Sequence, residues 1–344
     1  MFNLFKSKKA EFIKAFCADL GLPELAKAIE VDGDQVKLPF KFDELETALK
    51  DKFAADVHIS YQYALASLNR GYQNPRAQIS HIIAIASGKG GVGKSTVSVN
   101  LARSLNRLGA KVAILDADIY GPSIPLMLAL QGQQPTAVDD KYMQPLVSAD
   151  GIKSNSIGFL VEPEKAAIWR GPMASKALTQ LFNETAWGEI DYLIVDLPPG
   201  TGDIQLTLMQ SLPLSTAVVV TTPQNIATAD AEKALAMFNQ LKLTSAGVVE
   251  NMSQYICQQC GHHAAIFGAD GGQNLAKKHK VPLLAQLPLD INIRKTMDNG
   301  DASGFNSADF YPAFRQLALK VALHLYHQAR QQPSEKKISI QQID

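Results

Sequence analysis

The residues with the clearest chemical signature form a glycine-rich stretch near position 90. They are Gly88, Lys89, Gly90, Gly91, Val92, Gly93, Lys94 and Ser95, and they match the spacing G-x-x-x-x-G-K-S. Glycines let successive backbone N–H groups approach phosphate oxygens, because no Cβ blocks the way. We expect Lys94 to reach the β- and γ-phosphates and Ser95 to ligate magnesium. The stretch therefore predicts a binding site for a nucleoside triphosphate, with Mg-ATP as the favoured ligand.

Three aspartates follow two different apolar runs of strand length. Asp116 and Asp118 come after the first run, and Asp196 comes after the second. A single aspartate in such a place is more typical of a turn or a helix cap. Two groups beside a phosphate loop instead favour a metal site, because the carboxyl ends of parallel strands face the ligand crevice. We expect Asp196 to hold Mg²⁺ together with Ser95, and Asp116 and Asp118 to complete the metal shell or to orient the attacking water.

Two of the three cysteines, Cys257 and Cys260, have C-x-x-C spacing. One turn can aim both sulfurs at a single metal centre. The spacing leaves open a pair of buried thiols, a redox pair, and a zinc site completed by His262 or His263. An iron–sulfur cluster usually takes four cysteines, so each subunit of a two-fold dimer would supply two. Cys17 lies in an apolar helical pattern and is expected to be a core residue.

The elements that must position these residues alternate between strands and helices from residue 79 onward. Continuous apolar runs are typical of strands that are buried on both faces of a parallel sheet. Helical periodicity is found between them and near the end of the chain. The strand-like runs are 82–86, 111–115, 192–195, 217–220 and 247–249, and the helical patterns cover 97–108, 227–241 and 310–329. This alternation predicts an α/β fold with a mainly parallel sheet flanked by helices.

The first 70 residues follow another pattern and are predicted to form a small, separate α/β domain. Helical periodicity occurs at 12–16 and after Asp43, and strand-like alternation occurs at 35–40 and 56–63. Residues 71–78 are rich in turn formers and are predicted to be a linker. We therefore divide the chain into 1–70, the linker 71–78, a main domain at 79–330 and a polar tail at 331–344.

Composition excludes several classes of function. Hydrophobic residues make up 46% and charged residues 19%, which is typical of a globular protein. Lys plus Arg equals Asp plus Glu at 33 each, so no net basic charge favours nucleic acid as a partner. Neither an export signal nor an apolar run of spanning length occurs. We expect a cytoplasmic protein with reduced thiols and no membrane partner.

The phosphate loop has an extra lysine, Lys89, directly after its first glycine. The pattern G-K-G-G-V-G-K-S resembles the deviant Walker A class of dimerising ATPases. Further strings resemble the Mrp/ApbC branch of that class, the iron–sulfur cluster carriers. The match covers about 79–329, and residues 1–70 more weakly resemble the small α/β domain that often precedes this ATPase. The strings are LDADIYGPS at 115–123, WRGPM at 169–173, DYLIVDLPPGTGD at 191–203, TTPQ at 221–224, VENM at 249–252, CQQCG at 257–261 and IFG at 266–268.

The resemblance implies an ATPase that forms a homodimer, with one nucleotide per subunit and one 4Fe–4S cluster bridging the two C-x-x-C pairs. It also implies that Lys89 reaches across the dimer to the partner's nucleotide, so that Lys89, Lys94 and Asp118 are the catalytic residues, and that Asn251 lies near the base. ATP binding or hydrolysis would then change the release of the cluster to apoproteins, with scaffold proteins as further partners.

Two alternatives stay open beside this reading. The first is a partitioning or positioning ATPase, whose membrane-binding members have a basic amphipathic C-terminal helix. The short tail after Pro333 is mixed in charge and does not favour it. The second is a zinc-stabilised ATPase with another client.

Overall fold

The computed structural model describes residues 2–53, 57–62, 74–160, 171–257, 259–306 and 309–331. The beginning of the predicted linker at 71–73, the tail after residue 331 and part of the WRGPM string lie outside the described residues. In the ranges given, no helix combines the length and the apolar character needed to cross a bilayer.

The N-terminal segment forms a three-stranded sheet with two helices. Strands β1 and β2 are antiparallel, whereas β2 and β3 are parallel. The apolar periodicity after Asp43 forms a helix because Leu45 and Leu49 face the core and are fully buried. The predicted helices and strands of this segment are thus confirmed. Its elements are α1 (Phe2–Asp19), β1 (Glu30–Asp32), β2 (Gln35–Leu38), α2 (Asp43–Phe53) and β3 (His58–Tyr61).

An eight-stranded sheet forms the centre of the main domain. Its order is β13-β10-β9-β4-β8-β5-β7-β6, and every neighbouring pair is parallel except β6 with β7. Every residue of β5 and β9 is buried, which explains their continuous apolar runs. The strands are β4 (Ala77–Ala86), β5 (Val112–Asp116), β6 (Leu146–Val147), β7 (Lys153–Ser156), β8 (Gly188–Asp196), β9 (Thr216–Thr221), β10 (Ser245–Glu250) and β13 (Leu283–Gln286).

Helices cover both faces of this sheet, and a short hairpin lies apart from it. Alternate residues of β4 point to opposite sides, so that Ile83 belongs to one core and Ile82 to the other. The predicted fold class is confirmed. The helices are α3 (Lys94–Arg107), α4 (Ile124–Met127), α5 (Gly171–Asn183), α6 (Asp203–Ser211), α7 (Asn225–Gln240), α8 (Gly271–His279), α9 (Ile291–Asp298), α10 (Ala302–Asn306) and α11 (Tyr311–Gln331); the hairpin strands are β11 (Tyr255–Ile256) and β12 (His263–Ala264).

The N-terminal segment packs on the side of the sheet covered by α3 and α11 and shares its core. The Asp43 N–H donates to the Leu108 carbonyl at 3.0 Å, just beyond the end of α3. Glu44 pairs with Arg315 of α11 at 2.8 Å. Within the predicted linker, Asn74 is buried and donates to carbonyls at the end of α5 and beyond it. The described residues of the N-terminal segment therefore contribute to a continuous core, and the proposed domain boundaries stay a prediction.

Candidate nucleotide site and cysteine turn

The glycine-rich stretch is the connection between β4, in the middle of the sheet, and α3. Gly91 and Gly93 have φ of +80° and +82°, a left-handed conformation that a side chain disfavours. Gly93 is the N-cap of α3, so the first N–H groups of that helix point toward the turn. A helix N-terminus of this kind attracts anions through its unpaired N–H groups and its dipole. Local geometry thus agrees with the predicted phosphate site.

Three predicted side chains meet where α3 begins. Asp196, the last residue of β8, is fully buried. Its Oδ2 lies 2.8 Å from the Lys94 ammonium and accepts a hydrogen bond of 2.6 Å from the Ser95 hydroxyl. The structure therefore brings Lys94, Ser95 and Asp196 together, as a phosphate and magnesium site requires.

Asp116 lies directly beside Asp196, because the two are register partners on adjacent parallel strands. Burial, and next the charge of Asp196, raise the pKa of Asp116 to about 7. Its oxygens accept hydrogen bonds from the Asp118 and Ile124 N–H groups and from the Ser156 hydroxyl. In this arrangement Asp116 fixes the segment that follows β5.

A cleft of about 190 Å³ opens above the phosphate loop. Lys89, Lys94, Ser95, Asp118 and Pro199 are among the residues that line it. Burial raises the pKa of Asp118, and the positive charge of Lys94 opposes that rise. Over the part of the chain that is described, the Lys89 ammonium has no ion pair. Asp118 and Lys89 therefore face the space that a nucleotide would enter.

Asn251, a further predicted site residue, contacts the backbone of the phosphate loop. It follows β10, is buried, and donates from Nδ2 to the Val92 carbonyl at 2.9 Å. Its backbone N–H donates to the Thr221 carbonyl at 2.7 Å. Asn251 thus supports the loop backbone in this structure, and its expected place near a base stays a prediction.

The C-x-x-C pair occupies the turn of the β11–β12 hairpin. Cys257 is half-buried and Cys260 is exposed. The Cys257 N–H donates to the His262 carbonyl at 2.9 Å, and Gly261 closes the turn with φ of +69°. Hydrogen bonds from the backbone N–H groups of Cys260 and Gln259 lower the pKa of the Cys257 thiol. They favour the thiolate, which is the form that binds metals.

The exposure of this turn decides between some of the alternatives for the cysteine pair. Buried thiols are excluded, because the pair is accessible, while Cys17 is fully buried as predicted. His263 lies 3.0 Å from the Gln254 side chain. Across the described ranges, no three His, Cys, Asp or Glu side chains are arranged to hold a metal ion. The pair therefore needs further ligands from elsewhere to complete a four-coordinate site.

Comparison with known proteins agrees with the predicted family of ATPases. The family model described as ParA, NUBPL iron-transfer P-loop NTPase, matches residues 78–322. The chain belongs to this family. It is thus an ATPase of the P-loop class, and the predicted resemblance is confirmed.

Proteins similar to this iron-transfer NTPase occur in Haemophilus influenzae and Escherichia coli. The iron-sulfur cluster carrier protein of Haemophilus influenzae is 48% identical over 333 residues, with 92% of this chain and 90% of that protein covered. The protein of the same name in Escherichia coli K12 is 46% identical over 313 residues, with coverage of 88% and 85%.

Two solved structures extend the comparison. A nucleotide-binding protein from Archaeoglobus fulgidus in complex with ADP has a TM-score of 0.60 and 40% identity, covering 68% of this chain and 91% of that one. The cell division ATPase MinD of Pyrococcus furiosus has a TM-score of 0.53 and 23% identity, covering 70% and 98%, and shares the fold alone.

Sequence reasoning missed two hydroxyls in the site of this iron-transfer NTPase. Ser98 donates to Asp196 Oδ1 at 2.6 Å, and Ser156 donates to Asp116 Oδ2 at 3.0 Å. For Ser98 a signal existed, because it lies four residues after Lys94 and therefore on the same helix face. For Ser156 none existed, because β7 has the polar sequence Lys-Ser-Asn-Ser.

Proposed function

We propose that this protein is an ATP-dependent iron–sulfur cluster carrier that acts as a homodimer in the cytoplasm. Two copies hold one 4Fe–4S cluster as cargo and transfer it to apoproteins, with scaffold proteins as the source. The observation that carries this proposal is the accessible C-x-x-C turn. It offers two thiols, one of them with a lowered pKa, and the described part of the chain adds no third ligand.

Nucleotide binding follows from the β4–α3 connection. Backbone N–H groups of the loop and of the first turn of α3 surround the phosphates, and Lys94 neutralises their charge. The Ser95 hydroxyl and the Asp196 and Asp116 carboxylates are hard oxygen donors of the kind that Mg²⁺ prefers. When bound, magnesium neutralises charge on the β- and γ-phosphates.

Hydrolysis is assigned to residues that face the cleft. Asp118 orients the attacking water, because it lines the cleft next to Lys94. Lys89 acts on the nucleotide of the partner subunit and stabilises charge that develops on its phosphate. The cleft of one chain, about 190 Å³, is smaller than the roughly 300–1,000 Å³ of ordinary ligand pockets, which favours completion by a second copy.

A short segment links the nucleotide to the cargo. Asn251 holds the phosphate loop at Val92, and Cys257 follows six positions later. Between them, Ser253 and Gln254 hydrogen bond to the segment after β13. Nucleotide-dependent movement of the two subunits would separate or join the two cysteine turns, and so change how tightly the cluster is held.

Anaerobic cluster reconstitution tests the proposal. Wild-type protein should take up about two irons and two acid-labile sulfides per chain and be dimeric, as expected for a four-iron cluster with two cysteines from each chain. Cys257→Ala and Cys260→Ala should lose the cluster and keep ATP binding. Cys17→Ala is the matched control and should keep both.

Two outcomes would contradict the bridging arrangement. One is a monomer that carries a complete four-iron cluster, and the other is a Cys257→Ala protein that retains it. Zinc in aerobic preparations decides nothing, because zinc binds the same thiolates.

A further inference from the structure

Three groups of the described residues donate to the Asp196 carboxylate, and one of them, Ser98, has no role in the proposed nucleotide site. Oδ2 receives Lys94 and Ser95, both of which belong to the proposed phosphate and magnesium site. Oδ1 receives Ser98 alone among the contacts described. Both Ser98 and Asp196 are fully buried, so water does not replace this contact.

The Ser98 proton is directed to the carboxylate. A hydroxyl has one proton to donate, and Ser98 Oγ lies 2.6 Å from Asp196 Oδ1 but 3.1 Å from the Lys94 carbonyl. The shorter distance and the negative charge both favour the carboxylate as acceptor. Because Oδ1 is held by Ser98, Oδ2 is left to Lys94 and Ser95, both of which line the cleft.

Nucleotide binding changes the demands on this group. Lys94 and Ser95 now contact Asp196, and in the proposed site they would turn to the phosphates and to magnesium, respectively. Of the three donors, Ser98 alone is not drawn into either interaction. We propose that Ser98 is a positioning residue that keeps Asp196 oriented toward the magnesium position while Lys94 turns to the phosphates. This inference rests on the proposed magnesium site and is independent of the cluster.

The test compares two hydroxyls on one helix. Ser98→Ala removes the donor to Asp196. Ser104→Ala is the matched control, because Ser104 is equally buried on α3 and, within the described part of the chain, its hydroxyl donates only to the Asn100 carbonyl, at 2.8 Å. Unfolding midpoints of both variants confirm that the fold is retained.

The readout is the affinity for ADP, measured by calorimetry with excess magnesium and again in EDTA. Ser98→Ala should lower the ratio of these two affinities by roughly tenfold, as expected for the loss of a hydrogen bond to a charged group. Affinity in EDTA should stay near the wild-type value. Ser98→Thr restores the hydroxyl and should restore the ratio, and Ser104→Ala should leave it unchanged.

The inference is overturned if Ser98→Ala weakens ADP binding equally with magnesium and with EDTA, or if Ser104→Ala lowers the ratio as much. An unchanged ratio in Ser98→Ala overturns it as well. Failure of the magnesium site itself would look different, since wild-type protein would then bind ADP equally well with and without magnesium.

Discussion

The phosphate loop lies in a crowded region of the molecule, whereas the C-x-x-C turn projects from it. Around Asp196, three donors meet one buried carboxylate. The Cys260 side chain is exposed, and a Cβ added at the neighbouring Gly261 would meet no described atom within 4 Å. The contrast fits two kinds of binding. Under the proposed function, a nucleotide would be bound by groups already in position, whereas the cluster would be held by ligands that a second chain completes and that separate when the subunits move.

The largest expected effect concerns Lys89 in the nucleotide site. If Lys89 acts across the dimer, this site depends on a second chain as the cysteine turn does, and the contrast between the two regions becomes weaker. Lys89→Ala should lower ATP turnover by about a thousandfold, the effect of losing a cation that acts across a subunit interface. Asp118→Ala should be similarly inactive. Mixing the two variants should restore part of the activity, because one composite site then keeps both groups.

Steady-state turnover of the mixture, after subunit exchange has been demonstrated, is the measurement. If the mixture stays as inactive as each variant alone, Lys89 acts within its own chain, and the nucleotide site is complete in one copy.

A matched pair of glycine substitutions sharpens the contrast. Gly93 and Gly261 both have positive φ, but a Cβ at Gly93 would collide with the Asn251 side chain, whereas at Gly261 it would meet none of the described atoms within 4 Å. Both alanines cost roughly 1–2 kcal/mol of backbone strain. Gly93→Ala should in addition displace Asn251 and lower ADP affinity by at least about tenfold.

Gly261→Ala should leave ADP affinity unchanged and affect only the cysteine turn. Calorimetric affinities and thermal unfolding of both variants provide the measurement. Equal losses of ADP affinity would mean that the turn and the loop are not packed as differently as the structure indicates.

The smallest expected effect concerns the ionisation of Asp116, which lies buried beside Asp196 near the phosphate loop. Burial and the neighbouring Asp196 raise the pKa of Asp116 to about 7, from an ordinary value of 3.8. Between these values the folded state binds a proton that the unfolded state has lost, so the stability due to this group falls as pH rises from 4 to 7. In Asp116→Asn this dependence should disappear.

Denaturant unfolding at pH 5 and pH 8, without nucleotide and in EDTA, measures this pH dependence of the stability. The stability advantage of wild type over Asp116→Asn should be smaller at pH 8 by about 2 kcal/mol. A constant difference would show that Asp116 is ionised across this range.

Contiguous sequence was sufficient where the chemistry is local. The loop from Gly88 to Ser95 and the Cys257–Cys260 spacing each lie within one turn, so their residue types alone predict a phosphate site and make the thiol pair a candidate metal site. The helix after Asp43 and five strands of the main sheet, β4, β5, β8, β9 and β10, were predictable because burial on one face or two leaves an apolar pattern, whereas β6 and β13 were not predicted. β7 was not predicted, because its residues are polar and its buried hydroxyl and amide groups bind their partners instead of an apolar core.

By itself, the sequence determined the class of loop, the pair of thiols and the alternation of elements, since all three depend on neighbours along the chain. The tertiary structure alone decided the partners of those groups. Strand order places β8 between β4 and β5, which brings Asp196 to Lys94 and next to Asp116. It also decided that Ser98 aims at that carboxylate and that Asn251 supports the loop. Such contacts join residues up to 159 positions apart, and no local pattern records them, because a hydrogen bond depends on distance in space and not on distance along the chain.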